Sequence, residues 1–184
     1  MTKSLFSIEG STPVATGKFL SLEIVHFRDD RGRLRNWEAA RRVNGTGAVL
    51  VIATIQPANE VLLVRQFRPP AGKFMIEFPA GLIDPGESAE RTAARELYEE
   101  TGYEGKILHI FPPAVNSPGM SGESITIVQM EIDGTAYPEE PESHQEDSES
   151  IETIRVPREK LRDFLQEAVN RGDGIDAKLI SYLL

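Results

Sequence analysis

Short apolar or alternating segments, separated by turn residues, recur along much of the chain and predict a sheet. Residues 18–27 and 34–43 alternate or run apolar on either side of a strong turn at 29–32, a pattern that predicts a β-hairpin ending at 44–47. The run AVLVIATI at 48–55 is rich in β-branched residues and apolar on both faces, which is typical of a buried strand. Further strands are predicted at 60–66, 106–111, 124–132 and 151–156.

Three segments of the chain have the hydrophobic periodicity of a helix. One helix is predicted within 81–103, and two more are predicted at about 159–169 and 176–184. The order of strands and helices predicts a mixed α/β fold without internal repeats. With 184 residues, 40% of them hydrophobic, the chain is long enough for one domain with a sizeable core and a short appendage.

Two segments lack the periodicity of strands or helices. Residues 111–122 are rich in proline, glycine and polar residues and predict a loop with several rigid points. Residues 135–150 are acidic with almost no apolar content, which predicts a segment that is mobile or ordered by cations. Such a segment is either a flexible tether or the carrier of a carboxylate to a metal or an attacking water.

Composition narrows the classes of protein. The chain has no cysteine, which excludes disulfides and thiolate metal sites and favours a cytoplasmic location. We find no apolar run of signal-peptide or membrane-spanning length, so no membrane partner is expected. The net charge of -9 argues against non-specific binding of nucleic acid. Any phosphate-handling site must overcome that charge locally.

The segment GLIDPGESAERTAARELYEETGY at 81–103 carries the strongest chemical signal. Glu96 and Glu100 are four residues apart and share one face of a helix, with Glu99 beside them and Arg95 as the nearby counter-charge. Like charges at this spacing repel, and a divalent cation is the simplest resolution, since carboxylate oxygens suit Mg²⁺, Mn²⁺ or Ca²⁺. The alternative is a solvated acidic helix.

The flanking residues predict where this helix begins and ends. Residues 84–86 form a turn, Ser88 is the predicted N-cap, and Gly102 suits the helix end. A narrow, less polar stripe of Ala94, Leu97 and Thr101 is expected to face the core. The carboxylates would then face a cleft or solvent.

The spacing of these residues resembles the Nudix box, a pattern of nine fixed or class-restricted positions. The matching residues are Gly81, Glu87, Arg95, Glu96, Leu97, Glu99, Glu100, Gly102 and Tyr103. The resemblance to the Nudix hydrolases implies an α/β/α sandwich with a mixed central sheet, preceded by an antiparallel sheet region. It also implies hydrolysis of a nucleoside diphosphate linked to another group, with a divalent metal and a water nucleophile. The corresponding boundaries are an N-terminal region at 1–45 and a Nudix domain at 46–184.

Residues around the box resemble one subfamily, the ADP-sugar and ADP-ribose pyrophosphatases. The similar segments are RQFRPP at 65–70, IEFPAG at 76–81 and SPG at 117–119. In that group a proline about sixteen residues beyond the box goes with ADP-ribose-type substrates, and Pro118 lies there. The resemblance therefore implies a nucleoside diphosphate sugar substrate, among them ADP-ribose, ADP-glucose and GDP-mannose, which the sequence does not separate.

Metal and catalytic roles are assigned by the same resemblance. Glu96, Glu99, Glu100 and the Ala80 carbonyl would bind Mg²⁺, with Mn²⁺ as the alternative ion. Arg95 would hold Glu99 and Glu87 in place; an ordinary ion pair is the plainer interpretation. The general base is expected in the acidic segment, where Glu149 aligns best and Glu146 or Asp147 are alternatives.

Substrate contacts are expected from arginines, aromatic residues and the loop. Arg68 and Arg42 offer planar donor forks suited to a diphosphate. Trp37 and Phe19 match positions that stack the nucleobase in this subfamily, although an aromatic residue in a hairpin is often simply packed. The remaining substrate-binding positions implied by the resemblance are Glu77, Gly81, Pro118 and Met120.

The family also implies an assembly. Its N-terminal sheet swaps across a two-fold axis, so the resemblance implies a homodimer in which the stacking residues serve the partner's site. Two alternative functions remain open: a Nudix module that binds an ADP-ribose-like ligand without turnover, and a Nudix hydrolase of dinucleoside polyphosphates or of nucleotide-pool contaminants. The intact carboxylate set argues against the first, and the acidic surface argues against the second.

Overall fold

The computed structural model describes residues 5–43, 45, 47–145 and 150–183. The chain divides into two compact units, one of Met1–Gly47 with Pro113–Ile125 and one of Ala48–Pro112 with Thr126–Leu184. The strands and helices are β1 Ser7–Thr16, β2 Leu20–Arg28, β3 Leu34–Arg42, β4 Ala48–Gln56, β5 Glu60–Arg68, β6 Lys73–Glu77, β7 Ala80–Leu82, α1 Ala89–Thr101, β8 Lys106–Ile110, β9 Ala114–Val115, β10 Ser124–Asp133, β11 Ile151–Pro157, α2 Leu161–Arg171, β12 Gly174–Ile175 and α3 Ala177–Tyr182.

The first unit contains an antiparallel sheet in the order β1-β2-β3. The predicted hairpin is confirmed as β2 and β3, and its turn is closed by the Asp29 carboxylate, which accepts from the backbone N–H groups of Arg31 and Arg33 at 3.0 and 2.9 Å. Strand β1 was not predicted. All ten of its residues are exposed, so its sequence lacks the buried apolar positions from which a strand is usually recognised.

The second unit is organised on a mixed sheet whose central path runs β12-β6-β5-β4-β10-β8. Strand β11 pairs with β5 and β7 pairs with β4, both antiparallel, while β12 pairs with β6 in parallel. The predicted mixed α/β class is confirmed. The predicted strands at 48–55, 60–66, 106–111, 124–132 and 151–156 all form, with ends shifted by at most two residues.

The core of this unit lies between β4, β10 and helix α1. It is formed by the buried side chains of Val49, Val51, Ala53, Ile55, Leu62, Ala93, Leu97, Tyr103, Val128, Met130 and Ile132. Helix α1 packs against β4, β7 and β11. The helix that carries the acidic residues is therefore fixed to the centre of the sheet by its apolar side.

Helix α1 begins and ends as predicted, but its buried face differs from the prediction. The Ser88 hydroxyl accepts from the Arg91 N–H, and Gly102 ends the helix with a left-handed φ of 74°. The predicted core position of Ala94 is wrong, since Ala94 is exposed and Ala93 is fully buried. Residues 93, 97, 100 and 101 follow the i, i+4, i+7, i+8 spacing of one face, which also buries Glu100.

The acidic segment is more ordered than its composition predicts, as far as residue 145. The His144 ring stacks on Tyr98 with centroids 4.4 Å apart, and the His144 N–H donates to the Glu99 carbonyl at 2.8 Å. The Gln145 amide donates to the Ile151 carbonyl at 2.7 Å and accepts from the Ile151 N–H at 2.9 Å. The predicted bases Glu146, Asp147 and Glu149 lie outside the described residues.

No helix within the described ranges is long and apolar enough to cross a membrane.

Candidate active site

A strand, a turn and a helix bring the predicted carboxylates to one place. Strand β7 is paired with the central strand β4, with Ala80 opposite Leu50 and Gly81 opposite Val49. The chain then turns at 84–86, where the Glu87 N–H donates to the Asp84 carbonyl at 2.9 Å and Gly86 adopts a φ of 85°. Helix α1 starts at Ala89, three residues after Gly86, and packs beside β7.

Glu96 lies directly over Gly81. A Cβ atom added to Gly81 would be 1.9 Å from the Glu96 carboxyl carbon, far inside van der Waals contact. Because every other residue has a Cβ, only glycine leaves room for this carboxylate. The glycine at the start of the motif is therefore explained by a close approach of the acidic side chain to the strand.

Glu100 approaches the neighbouring residue of the same strand. Its side chain is 4% exposed, and its Oε2 accepts from the Ala80 N–H at 3.3 Å. Glu96 and Glu100 thus contact consecutive residues of β7. The predicted proximity of Ala80, Gly81, Glu96 and Glu100 is present in the structure.

Arg95 is the counter-charge of this cluster. Its Nη1 lies 2.9 Å from Glu96 Oε1 and 2.9 Å from Glu99 Oε2, and its Nη2 lies 3.2 Å from Glu87 Oε2. Burial works against the charge of this guanidinium, but the hydrogen bonds to Glu87 and Glu99 and the charge of Glu96 outweigh it and raise the pKa of Arg95 above its ordinary value. Arg95 therefore stays protonated and fixes two of the predicted metal ligands.

The donor chemistry of the cluster fits a hard divalent cation. Glu96, Glu99 and Glu100 supply carboxylate oxygens, and Glu96 and Glu100 lie against the backbone of β7. Across the residues that the structure describes, no set of three acidic, histidine or cysteine side chains is already grouped closely enough to hold an ion. Glu96 and Glu99 both contact the Arg95 guanidinium, so an ion held by these residues would share their carboxylates with Arg95.

A second charged pair lies on β5 and β6. Arg68 donates from Nε and Nη2 to Glu77 Oε2 at 2.9 and 2.6 Å. Desolvation lowers the pKa of Arg68, but the hydrogen bonds to Glu77 and the charge of Glu100 more than compensate, and the pKa is raised. The guanidinium is partly exposed and oriented by Glu77, so its remaining donors are available to an anion.

The predicted substrate residues of the first unit fall into two groups. The Trp37 indole N–H donates to the Gly119 carbonyl at 3.0 Å, and a cavity of about 420 Å³ is lined by Trp37, Pro118 and Met120. Arg42 forms an ion pair with Glu123 at the edge of a second cavity of about 360 Å³, which Met120 also lines. Phe19 is 67% exposed beneath the Lys18 ammonium and lines neither cavity.

One residue of the charged cluster was missed by the sequence analysis. Thr92 is fully buried in α1, and its hydroxyl donates to Glu87 Oε2 at 2.8 Å. The hydrogen bonds from Arg95 and then from Thr92 hold the pKa of Glu87 below its ordinary value. The only available signal in the sequence was the five-residue separation of Thr92 from Glu87 across a helix start, which is too weak to predict a contact.

Comparison with known proteins gives a consistent result. The NUDIX domain family matches residues 46–179. The ADP-ribose pyrophosphatase of Saccharomyces cerevisiae is 36% identical over 172 residues, covering 88% of this chain and 74% of that protein. The ADP-sugar pyrophosphatase of Mus musculus is 35% identical over 178 residues, covering 92% of this chain and 82% of that protein.

A solved structure agrees with the sequence relatives. A crystal structure of an ADP compounds hydrolase superposes with a TM-score of 0.69 at 27% identity, covering 90% of this chain and 86% of that chain. The chain belongs to the Nudix hydrolases. It is a pyrophosphohydrolase with the Nudix fold, as the resemblance to the Nudix box implies.

Proposed function

We propose that this enzyme hydrolyses the diphosphate of nucleoside diphosphate sugars of the ADP-ribose type, releasing a nucleoside monophosphate and a sugar phosphate. The observation that carries the proposal is the seating of Glu96 on Gly81 and of Glu100 on Ala80, which gathers anionic oxygens beside a strand and gives them a role beyond solubility. The names of the relatives, ADP-ribose pyrophosphatase and ADP-sugar pyrophosphatase, support the substrate class.

The proposed metal site consists of Glu96, Glu99, Glu100 and the Ala80 carbonyl, and Mg²⁺ is the expected ion. When bound, Mg²⁺ neutralises charge on the diphosphate and lowers the pKa of a coordinated water. Arg95 holds the carboxylates of Glu96 and Glu99 at 2.9 Å before any ion arrives. Preordering the ligands in this way reduces the entropy that binding would otherwise cost.

The phosphate-binding role is proposed for Arg68. Its fork is held by Glu77 through two hydrogen bonds to one oxygen, so the orientation of the guanidinium is set before substrate binds. A planar guanidinium donates two parallel hydrogen bonds to a phosphate, which an ammonium does not. The proton of the attacking water is assigned to Glu149, with Glu146 and Asp147 as alternatives.

Base and sugar recognition are proposed for the first unit. Trp37 is 55% exposed, and its indole N–H donates to the Gly119 carbonyl. The exposed ring is therefore oriented by that hydrogen bond and offers a surface on which a base can stack. Pro118 and Met120 line the same cavity as Trp37, which supports a role in substrate choice. Arg42 and Phe19 complete the proposed set, and Arg42 is held in an ion pair with Glu123.

A homodimer with a swapped N-terminal sheet is proposed from the surface of β2 and β3. Leu20 and Leu22 alternate onto one face, and Leu34 shares that face opposite Arg28, with exposures of 54%, 41% and 59%. Exposed apolar side chains on one sheet face are typical of an interface. Leu22→Asp should therefore convert a dimer to a monomer in light scattering; a wild-type chain that is monomeric at all concentrations would remove the proposal.

The decisive test of the activity is a panel of nucleotide sugars with and without Mg²⁺, followed by mass spectrometry of the products formed in ¹⁸O-water. We expect metal-dependent release of a nucleoside monophosphate and incorporation of one ¹⁸O atom into one of the two phosphate products. Binding of ADP-ribose without product formation would favour a non-catalytic module. Hydrolysis confined to dinucleoside polyphosphates would move the enzyme to another substrate class.

A further inference from the structure

Thr92 is the one buried hydroxyl in contact with the charged cluster of Glu87 and Arg95 among the residues that the structure describes. Its Oγ1 lies 2.8 Å from Glu87 Oε2 and 3.1 Å from the Ser88 carbonyl. A hydroxyl has a single proton and donates it to one acceptor at a time. The shorter distance and the negative charge both favour Glu87, because charge-assisted hydrogen bonds are the stronger ones.

The oxygen that Thr92 contacts is the same one that orients Arg95. Glu87 Oε2 accepts from Arg95 Nε at 3.4 Å and from Nη2 at 3.2 Å, distances longer than that to Thr92. The Arg91 guanidinium stands 3.5 Å from the other Glu87 oxygen, but its side chain is 83% exposed and restrains little. Thr92 is therefore the short, buried contact that fixes this carboxylate.

The contact continues through Arg95 to the proposed metal ligands. The Nη1 atom of Arg95 lies 2.9 Å from both Glu96 and Glu99, at the opposite side of the guanidinium from Glu87. A guanidinium is planar and rigid, so the position of its Glu87 edge sets the position of its Glu96 edge. A more mobile Glu87 carboxylate would therefore leave Arg95, and with it Glu96 and Glu99, less precisely positioned.

We propose that Thr92 is a positioning residue for the metal site, acting through Glu87 and Arg95 on Glu96 and Glu99. The hydroxyl of Thr92 contacts Glu87 and the Ser88 carbonyl, neither of which is a proposed metal ligand, and the proposal rests on the metal-assisted hydrolysis proposed above. On a helix threonine divides between two χ1 rotamers, and the rotamer present here places the hydroxyl within reach of both the Ser88 carbonyl and Glu87 Oε2.

The test compares Thr92→Val, which removes the hydroxyl and keeps the volume, with Thr92→Ser, which keeps the hydroxyl. Thr101→Val is a matched control, since Thr101 is also buried in α1 but its hydroxyl donates to the Leu97 carbonyl, away from Glu87. The readout is Mn²⁺ binding to the substrate-free protein, by electron paramagnetic resonance. It is independent of turnover.

Thr92→Val should weaken Mn²⁺ affinity by about three- to tenfold, somewhat less than the 10–100-fold typical when a residue in direct contact with a metal ligand is lost. Thr92→Ser should bind within about twofold of wild type, and Thr101→Val should bind as wild type. In a Glu87→Ala background, Thr92→Val should have almost no further effect, because alanine removes the oxygen that accepts from the Thr92 hydroxyl.

Several results would overturn the proposal. Wild-type Mn²⁺ affinity in Thr92→Val would show that the hydroxyl positions nothing, and equal losses in Thr92→Val and Thr101→Val would show a general effect on the helix. An undiminished effect of Thr92→Val in the Glu87→Ala background would show that Thr92 does not act through Glu87. Thr92→Ala repeats the comparison if the valine variant fails to fold. Failure of the substrate panel with intact Mn²⁺ binding would instead count against the proposed activity.

Discussion

The charged helix of the second unit and the three-stranded sheet of the first unit differ in how fully their side chains are used. Arg95 alone contacts three carboxylates, and Glu96 fills the space that a Cβ at Gly81 would occupy. On the sheet, by contrast, Leu20, Leu34 and Trp37 are each more than half exposed. The carboxylates of the charged helix are thus held by contacts within the chain. The three-stranded sheet instead has exposed apolar side chains, which are typical of a surface that binds a ligand or another chain.

The largest effect should come from Glu100→Gln, which tests whether the charged helix performs the chemistry. Glutamine keeps the size and an acceptor for the Ala80 N–H but loses the charge. If Glu100 is a metal ligand, kcat should fall at least about 100-fold, since metal-based charge stabilisation is worth several kcal/mol. Glu90→Gln is the matched control: it makes the same change on an exposed position of the same helix. Full activity in Glu100→Gln would remove this residue from the site.

Gly81→Ala should have the next largest effect. The added methyl group would fall 1.9 Å from the Glu96 carboxyl carbon, so Glu96 must move away from β7. We expect activity and Mn²⁺ affinity to fall together by about 10–100-fold, as for the loss of a supporting contact at a metal site. A crystal structure would show the displaced carboxylate. An alanine variant with wild-type metal affinity would mean that the position of Glu96 over Gly81 is unimportant.

Trp37→Ala examines the other side of the comparison and should affect binding more than chemistry. Stacking of a base on an aromatic ring is worth about 1–3 kcal/mol, so KM should rise about tenfold while kcat changes little. Trp37→Phe keeps a ring and loses only the hydrogen bond to Gly119, and it should lie between alanine and wild type. A variant with lower kcat and unchanged KM would contradict a stacking role.

The smallest effect on catalysis, and a clear effect on stability, is expected from Asp173→Asn. The Asp173 carboxylate receives hydrogen bonds from Arg65 at 3.0 to 3.2 Å, and these hold its pKa below the ordinary 3.8. A carboxyl group whose pKa is lower in the folded than in the unfolded protein stabilises the fold at pH values above its unfolded pKa. That stabilisation is lost as the pH falls through the pKa of the folded protein. Asparagine should therefore cost about 2 kcal/mol of unfolding free energy at neutral pH.

The pH dependence of the unfolding free energy tests whether the charged form of Asp173 stabilises the fold. The difference in unfolding free energy between wild type and Asp173→Asn, measured in urea, should be constant above about pH 5 and shrink below about pH 4. Glu167→Gln, an exposed change on helix α2, is the control and should show little difference at any pH. If the difference in unfolding free energy between wild type and Asp173→Asn increased in acid, the charge of Asp173 would not stabilise the fold.

Much of the fold was predictable because burial leaves a pattern in the sequence. Strands β4 and β5 carry apolar residues on both faces, and their predicted ends are within two residues of the structure. Strand β1 left no such pattern because all of its residues are exposed and its place depends on pairing with β2. The error at Ala94 has a different cause: neighbouring alanines at 93 and 94 are equivalent in composition, and only the angle of α1 on the sheet selects one of them.

The site was predictable where spacing along one helix determines proximity, and not where contacts join different segments. The four-residue separation of Glu96 and Glu100 placed both carboxylates on one side of α1, and Gly81 was found through the family pattern. Thr92 was missed because its importance arises from the geometry of the turn before the helix. The contact of His144 with Tyr98 was missed for a similar reason, since an acidic, polar composition predicts solvation rather than docking.

The amide of Gln145 has a consequence for how this protein can change over evolutionary time. The side chain donates to the Ile151 carbonyl and accepts from the Ile151 N–H, the same two hydrogen bonds that a paired strand residue would form with Ile151. Gln145 is thereby held beside Ile151, where β11 begins its register opposite Gln66 of β5, so the start of β11 has a support besides its strand pairing. Glutamine at position 145 is accordingly expected to be retained, because an amide side chain both donates to and accepts from the backbone of Ile151.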